Sequence, residues 1–141
     1  MADVIYNKPK LDFLKGDIDL LVDTIKVMLV GSGYTPNQDT HDFINDVSAQ
    51  EITGEGYTAG GATLGTKTVT QDDTNNRAVF DAANVVWANS TITAYGAVFY
   101  KDSGDPATSP VLFYKDFGGV EESADGNFTL NFSADGIFYL G

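Results

Sequence analysis

From residue 50 to the C-terminus, the chain is divided into short stretches in which apolar and polar residues alternate, and glycine, asparagine, aspartate or proline closes each one. This rhythm is the strongest constraint on the fold, because a repeat of two puts one side of a strand in a core and the other in water. "NFTLNFS" shows it best, with Phe128, Leu130 and Phe132 predicted inward and Thr129, Asn131 and Ser133 outward. "TKTVTQ", "RAVFDA", "VVWANS", "TITAYGAVFYKD" and "VLFYKDF" read as further strands. In the longest, Ile92, Ala94, Gly96, Val98 and Tyr100 are predicted to share one face. Asp135-Gly136 fits a type I′ turn, which makes "IFYLG" the return arm of a terminal hairpin. "DDTNN", "DSGDPATSP" and "GGVEESADGN" read as polar connecting loops.

The front third reads differently. In "NKPKLDFLKG", Asn7 is a cap candidate, Pro9 falls in a first turn where its missing N–H costs nothing, and Gly16 is a stop. The spacing predicts a helix over Lys8–Lys15, with Leu11 and Leu14 on a common face, after an extended arm over residues 1–6. "IKVMLVG" reads as a buried strand ended by glycine. Thr40 and Asp42 predict a second short helix near 41–47. The expected fold is mainly β: an antiparallel β-sandwich or jelly-roll-like domain with a short N-terminal helix and one further short helix. It forms one domain over residues 1–141, with residues 1–16 as an arm.

With no cysteine, neither disulfides nor thiolate metal sites are available, so packing alone must hold this fold. A hydrophobic content of 43% with 12% aromatic residues suits a folded globular chain. The longest apolar runs, such as "VVWA" and "VLFY", are too short for a membrane span, and the charged opening lacks the apolar stretch of a signal peptide. Twenty acids against eight bases give a net charge of −12, which repels nucleic acid and anionic lipid and favours a basic partner surface.

"GYTAGGATLGTKTVTQD" comes close to a phosphate-cradling loop. However, Thr66 intervenes between Gly65 and Lys67, and the residues that follow are strand formers rather than a helix. The expected role of Gly60-Gly61 is structural, through positive φ or close backbone approach. His41 is the single histidine and has no evident catalytic partner. The acids Asp72-Asp73, Asp102 with Asp105, and Glu121-Glu122 with Asp125 lack the spacing of a calcium loop and read as solvated loop charge. Asp81 and Asp116 sit at strand edges, where charge discourages further pairing. Paired carboxylates for glycoside hydrolysis would require a three-dimensional separation that sequence does not give. Exposed tyrosines suit a protein interface or a sugar platform. No catalytic residue, cofactor or metal is expected.

Several stretches resemble a known family. "IYNKPKLDFLKGDIDL", "YTPNQDTHDF", "GYTAGGATLGTKTVTQD" and "AVFDAANVVWANSTITAYGAVFYKD" look like small acidic virion structural proteins encoded in tailed bacteriophages and prophages. The likeness covers nearly the whole chain. Pro9 departs from it, since a bulky apolar residue is expected there. The resemblance implies a non-enzymatic assembly role, with capsid decoration, or cement, fitting best. On that reading the chain sits on the outer surface of the head, binds the major capsid protein and other virion subunits, and forms a homo-trimer or other homo-oligomer. It is made in the host cytoplasm and contacts neither nucleic acid nor membrane. The alternatives are a tail-associated protein (tail tip, neck or fibre base) and a carbohydrate- or receptor-binding module. The expected contact segments are residues 1–15, 34–42 and 54–65, with Tyr6, Leu11, Tyr34, Asp39, His41, Tyr57 and Tyr95 as interface candidates.

Overall fold

The computed structural model describes residues 3–141. In chain order the elements are β1 (Val4–Ile5), α1 (Asn7–Lys15), β2 (Ile25–Val30), β3 (Ala62–Thr63), β4 (Thr68–Asp72), β5 (Arg77–Asp81), β6 (Val85–Lys101), β7 (Val111–Leu130) and β8 (Phe138–Leu140). They form two antiparallel sheets, one ordered β1-β7-β6-β2-β3 and the other β4-β5-β8. This is the mainly β, sandwich-like fold expected from the alternation.

The main core lies between the sheets. Ile25, Val27, Leu29, Ile92, Phe99 and Phe128 of the large sheet pack with Phe80 and Phe138 of the small one. Phe138 is central, stacked on Phe113 at 5.5 Å and on Phe13 of α1 at 6.5 Å. A second core covers the opposite face of the large sheet, where Met28, Val30, Val98, Tyr100, Val111 and Tyr114 meet Tyr6, Tyr34, Ile44 and Val47. β2 is therefore buried on both faces, which explains why "VMLV" is apolar at successive positions.

β6 and β7 are each longer than their sequence suggests. "VVWANS" and "TITAYGAVFYK" are one 17-residue strand. "GGVEESADGN", read as a loop, lies inside the 20-residue β7 and pairs with β6, for example Thr93 with Glu122 and Ala94 with Glu121. Polarity misleads here because β7 is an edge. Among the described residues, β1 flanks it only at Phe113 and Tyr114, so its side chains are largely solvated while its backbone is paired.

Bulges break the alternation. The register shifts between Trp87 and Ser90, where Asn89 has φ +50°, and between Ala94 and Gly96, where Phe117–Val120 stand opposite Tyr95. The predicted single face of β6 is thus divided. Ile92 and Ala94 point into the main core, as do Ala97 and Phe99 beyond the bulge, whereas Val98 and Tyr100 point into the second core. Ser90 is fully buried at the first bulge, its Oγ 2.9 Å from the Trp87 carbonyl and 2.8 Å from Ser123 Oγ.

The ends of elements show three further differences. α1 stops at Gly16 as expected, with φ +76° and the Gly16 and Asp17 amides donating to the Phe13 and Asp12 carbonyls. However, its buried face is Pro9 and Asp12, and Leu11 and Leu14 point outward at 53% and 90% exposure. In place of a helix at 41–47 there are two 3-10 turns, Ile44–Asp46 and Ser48–Gln50. Phe43 bridges to Pro110, the Ile44 amide donates to the Ser109 carbonyl, and the Asp42 carbonyl accepts from Val111, so this backbone is committed to the neighbouring strand. Finally, Gly136 makes a turn with φ +79°, but Asp135 does not share the positive φ that a type I′ turn requires. β8 crosses to the small sheet and pairs with β5, drawn there by the burial of Phe138.

Gly60 and Gly61 have φ of +92° and +83°, and a Cβ on Gly61 would overlap the Val27 carbonyl oxygen. Gly61→Ala is expected to cost more than about 2 kcal/mol, from strain plus overlap. Gly65→Ala, with open space at its Cβ, should stay within about 1 kcal/mol of wild type. Urea unfolding of the two variants checks the contrast.

Candidate functional site

Two of the three expected contact segments are joined to each other. β1 and the start of α1 carry Tyr6 and Asn7, and the loop after β2 carries "YTPNQDTH". The Pro-Asn turn folds this loop back on itself. Asn37 Oδ1 accepts from the Asp39 and Thr40 amides at 3.0 and 3.1 Å, and its carbonyl accepts from the His41 amide at 3.0 Å. So folded, the loop grips the N-terminal segment. The Asn7 amide donates to the Gln38 carbonyl at 3.1 Å, Gln38 Nε2 donates to the Ile5 carbonyl at 2.7 Å, and Asn7 Nδ2 donates to Asp39 Oδ1 at 2.8 Å.

Beneath that grip runs a buried polar chain. Tyr6 Oη and Tyr34 Oη are 2.6 Å apart, and Tyr34 Oη is 2.9 Å from His41 Nδ1. The Asn37 amide donates to the same Nδ1 at 3.1 Å. An amide only donates, so Nδ1 carries the lone pair and the imidazole proton sits on Nε2. The order of donation follows: Tyr6 to Tyr34, Tyr34 to His41. Tyr114 packs its edge on Tyr34 with ring centroids 5.5 Å apart. Burial raises the ionisation of Tyr6 well above the usual phenol range and pushes Tyr34 up to about 12.

The third segment has its own network. The Glu51 carboxylate accepts from Tyr57 Oη and from the Gly60 amide, both at 2.7 Å, while Tyr57 Oη accepts from the Leu29 amide at 3.0 Å. Tyr100 Oη donates to the Gly60 carbonyl at 2.5 Å. Burial also raises Tyr57 and Tyr100. Lys67, the would-be phosphate ligand, donates to the Asp23 carbonyl.

The seven interface candidates therefore fall into different environments. Tyr6 and Tyr34 are buried and bonded within the chain, His41 and Tyr57 are half-buried, and Leu11, Asp39 and Tyr95 are exposed. Tyr6, Tyr34, Asp39 and His41 come together in one latch, whereas Leu11, Tyr57 and Tyr95 are not part of it. Asn7 is the first residue of α1 and not the cap expected from sequence, since Tyr6 takes the cap position, and Gln38 and Glu51 carried no reading as site residues. The Asx geometry of "PNQDT" was the available signal for Asn37. The loop acids also serve their own backbone: Asp105 accepts from the Ala107 amide, and Asp72 from Asn75 and Arg77. These bonds from Asn75 and then Arg77 hold the Asp72 carboxyl below the usual range.

No protein-family model, curated protein or solved structure matches this chain.

Tyr34→Phe removes both partners of its hydroxyl and strands that of Tyr6, which is 0% exposed, so it is expected to cost about 1–3 kcal/mol. Tyr6→Phe leaves Tyr34 still bonded to His41 and should cost about 1 kcal/mol. Denaturant unfolding of both variants checks the order.

The raised phenols give a further test, with a definite sign. Each ionises at higher pH folded than unfolded, so its stabilisation is complete below pH 10, the usual phenol value, and is lost as pH rises through about 12, the folded value for Tyr34. Tyrosinate absorbance from these four residues should rise together with loss of the fold in an alkaline titration.

Proposed function

We propose that this chain is a non-enzymatic virion structural protein of a tailed bacteriophage, binding the outer surface of the head as a decoration protein. The reading starts from the resemblance of the four quoted stretches. The structural observation that supports it is the apolar exposure of the N-terminal region: Leu11, Leu14, Leu21 and Val22 are exposed at 53%, 90%, 52% and 79%. Large apolar side chains left in water near one another in the sequence are candidates for a surface that becomes covered in an assembly. A specific contact needs on the order of 1,000 Å² buried, and repeated copies on a lattice add avidity. The net charge of −12 suits a surface turned away from packaged DNA. Association with other copies of this chain belongs to the same reading.

A carbohydrate-binding role is the second reading. It rests on a shallow cavity of about 270 Å³ lined by Tyr34, Tyr95 and Tyr114, with Tyr95 at its exposed rim. Tyr95→Ala abolishing binding on a glycan array would favour it over the assembly role.

Co-sedimentation with purified expanded heads and, separately, with tails tests the primary reading. Binding to heads is expected, and Leu14→Asp together with Val22→Asp should weaken it at least about tenfold while urea stability stays within about 1 kcal/mol of wild type. Binding to tails alone would move the protein to the tail, and binding to neither would sink the proposal.

A further inference from the structure

We propose that His41 is a proton-operated latch: its neutral imidazole holds the Asn37 turn closed on the N-terminal segment, and protonation at Nδ1 releases that segment. The inference is independent of the assembly reading and rests on the two donors that converge on Nδ1. The Asn37 amide and the Tyr34 hydroxyl both point at this atom, from 3.1 and 2.9 Å. The hydroxyl has a remedy when Nδ1 gains a proton, because it can rotate and accept. The amide has none, since its N–H would face another N–H. The conflict falls on Asn37, the residue whose side chain and carbonyl shape the turn through the Asp39, Thr40 and His41 amides.

The consequence is transmitted over a short path. The turn places the Gln38 carbonyl against the Asn7 amide, Gln38 Nε2 against the Ile5 carbonyl, and Asp39 against Asn7 Nδ2. If Asn37 shifts, these three bonds between the loop and residues 5–7 lose their geometry together. The sheet offers little in compensation, because β1 pairs with β7 at only Val4–Tyr114 and Ile5–Phe113.

The charged and titratable groups around the histidine come from each element packed against it. Tyr34 faces His41 directly, with a ring-centroid distance of 5.6 Å, and Tyr6 and Tyr114 lie behind Tyr34. Asp39 and Asp42 flank the histidine on its own loop, and Asp46 acts on Tyr34 from the following turn. Lys8 of α1 is turned away over the Phe43 ring and bonded to Asp12.

His41 is the single histidine, so its titration is read without ambiguity in the full-length chain. Imidazole carbon and nitrogen NMR shifts should show the Nε2–H tautomer at pH 8. Amide hydrogen exchange of Asn7, corrected for intrinsic rates, should accelerate about tenfold on acidification with the same midpoint as the imidazole, as for loss of about one hydrogen bond. Amides of β2 and β6 should not follow that midpoint. His41→Asn, which keeps an acceptor but does not titrate, should hold Asn7 protection constant across the range. A proton on Nδ1 at pH 8, Asn7 protection that is flat through the wild-type titration, or a pH dependence that survives in His41→Asn would each overturn the proposal.

Discussion

The antiparallel ladder between β6 and β7 is the interaction on which the rest of this structure depends. It joins a 17-residue strand to a 20-residue strand, and the rest of the large sheet is built outward from them: β1 on β7, β2 on β6, and β3 on β2. A strand alternates between the two faces of its sheet, and here both faces are covered, so neighbouring residues such as Val98 and Phe99 of β6, or Met28 and Leu29 of β2, serve different cores. The bulges then change which parity faces the main core, from Ile92 and Ala94 to Ala97 and Phe99. Two cores on opposite faces of one sheet let a 141-residue chain without disulfides bury much of its apolar content.

Burial on both faces also strands polar groups, and these are closed in pairs and chains. Tyr6 is met by Tyr34 and then His41, Tyr57 by Glu51 and the Leu29 amide, Ser90 by Ser123 and two carbonyls. A buried hydroxyl without a partner costs about 1–3 kcal/mol, comparable to a sizeable fraction of a domain's stability. These networks therefore do more to determine which loop lies against which strand than the surface ion pairs, of which Lys15–Asp17, exposed on both sides, is typical.

Strand identity was legible where side chains reported burial. "NFTLNFS", "RAVFDA" and the run in β2 carry their environment in their composition, as do the Gly16 stop and the positive φ of Gly60-Gly61. What was not legible shares one cause: the backbone was decided by a partner distant in sequence. "GGVEESADGN" is a strand because β6 offers it a ladder, not because its side chains ask for one. Residues 42 and 43 stay out of a helix, and only a 3-10 turn follows at Ile44, because Ser109–Val111 takes the backbone hydrogen bonds of residues 42–44. The destination of β8 was set by the ring of Phe138, which finds Phe13, Phe80 and Phe113 only once both sheets exist. The candidate site follows the same division. Tyr6, Tyr34, Asp39 and His41 were recognisable as residue types, but that they meet depends on Asn7 and Gln38, whose amides look like ordinary surface chemistry in the sequence.

This arrangement sets the N-terminal segment apart from the rest of the sheet. A strand with several ladder bonds opens only with the sheet, whereas β1 has two paired positions and ends at Ile5. Beyond the ladder it is held by the Tyr6 amide on the Leu112 carbonyl, the Asp116 amide on Asp3, the Tyr6–Tyr34 hydroxyl pair, the loop contacts of Ile5 and Asn7, and the stacking of Phe13 on Phe138. Residues 4–16 are thus held jointly by β7 and by side-chain geometry in the loop at 34–41. The same segment carries Leu11 and Leu14 in water. The segment also reaches both cores: Tyr6 is fully buried in the second core with Tyr34, and Phe13 stacks on Phe138 at the edge of the main one. Releasing this segment would therefore withdraw Tyr6 and Phe13 from the cores as well as change the presentation of Leu11 and Leu14.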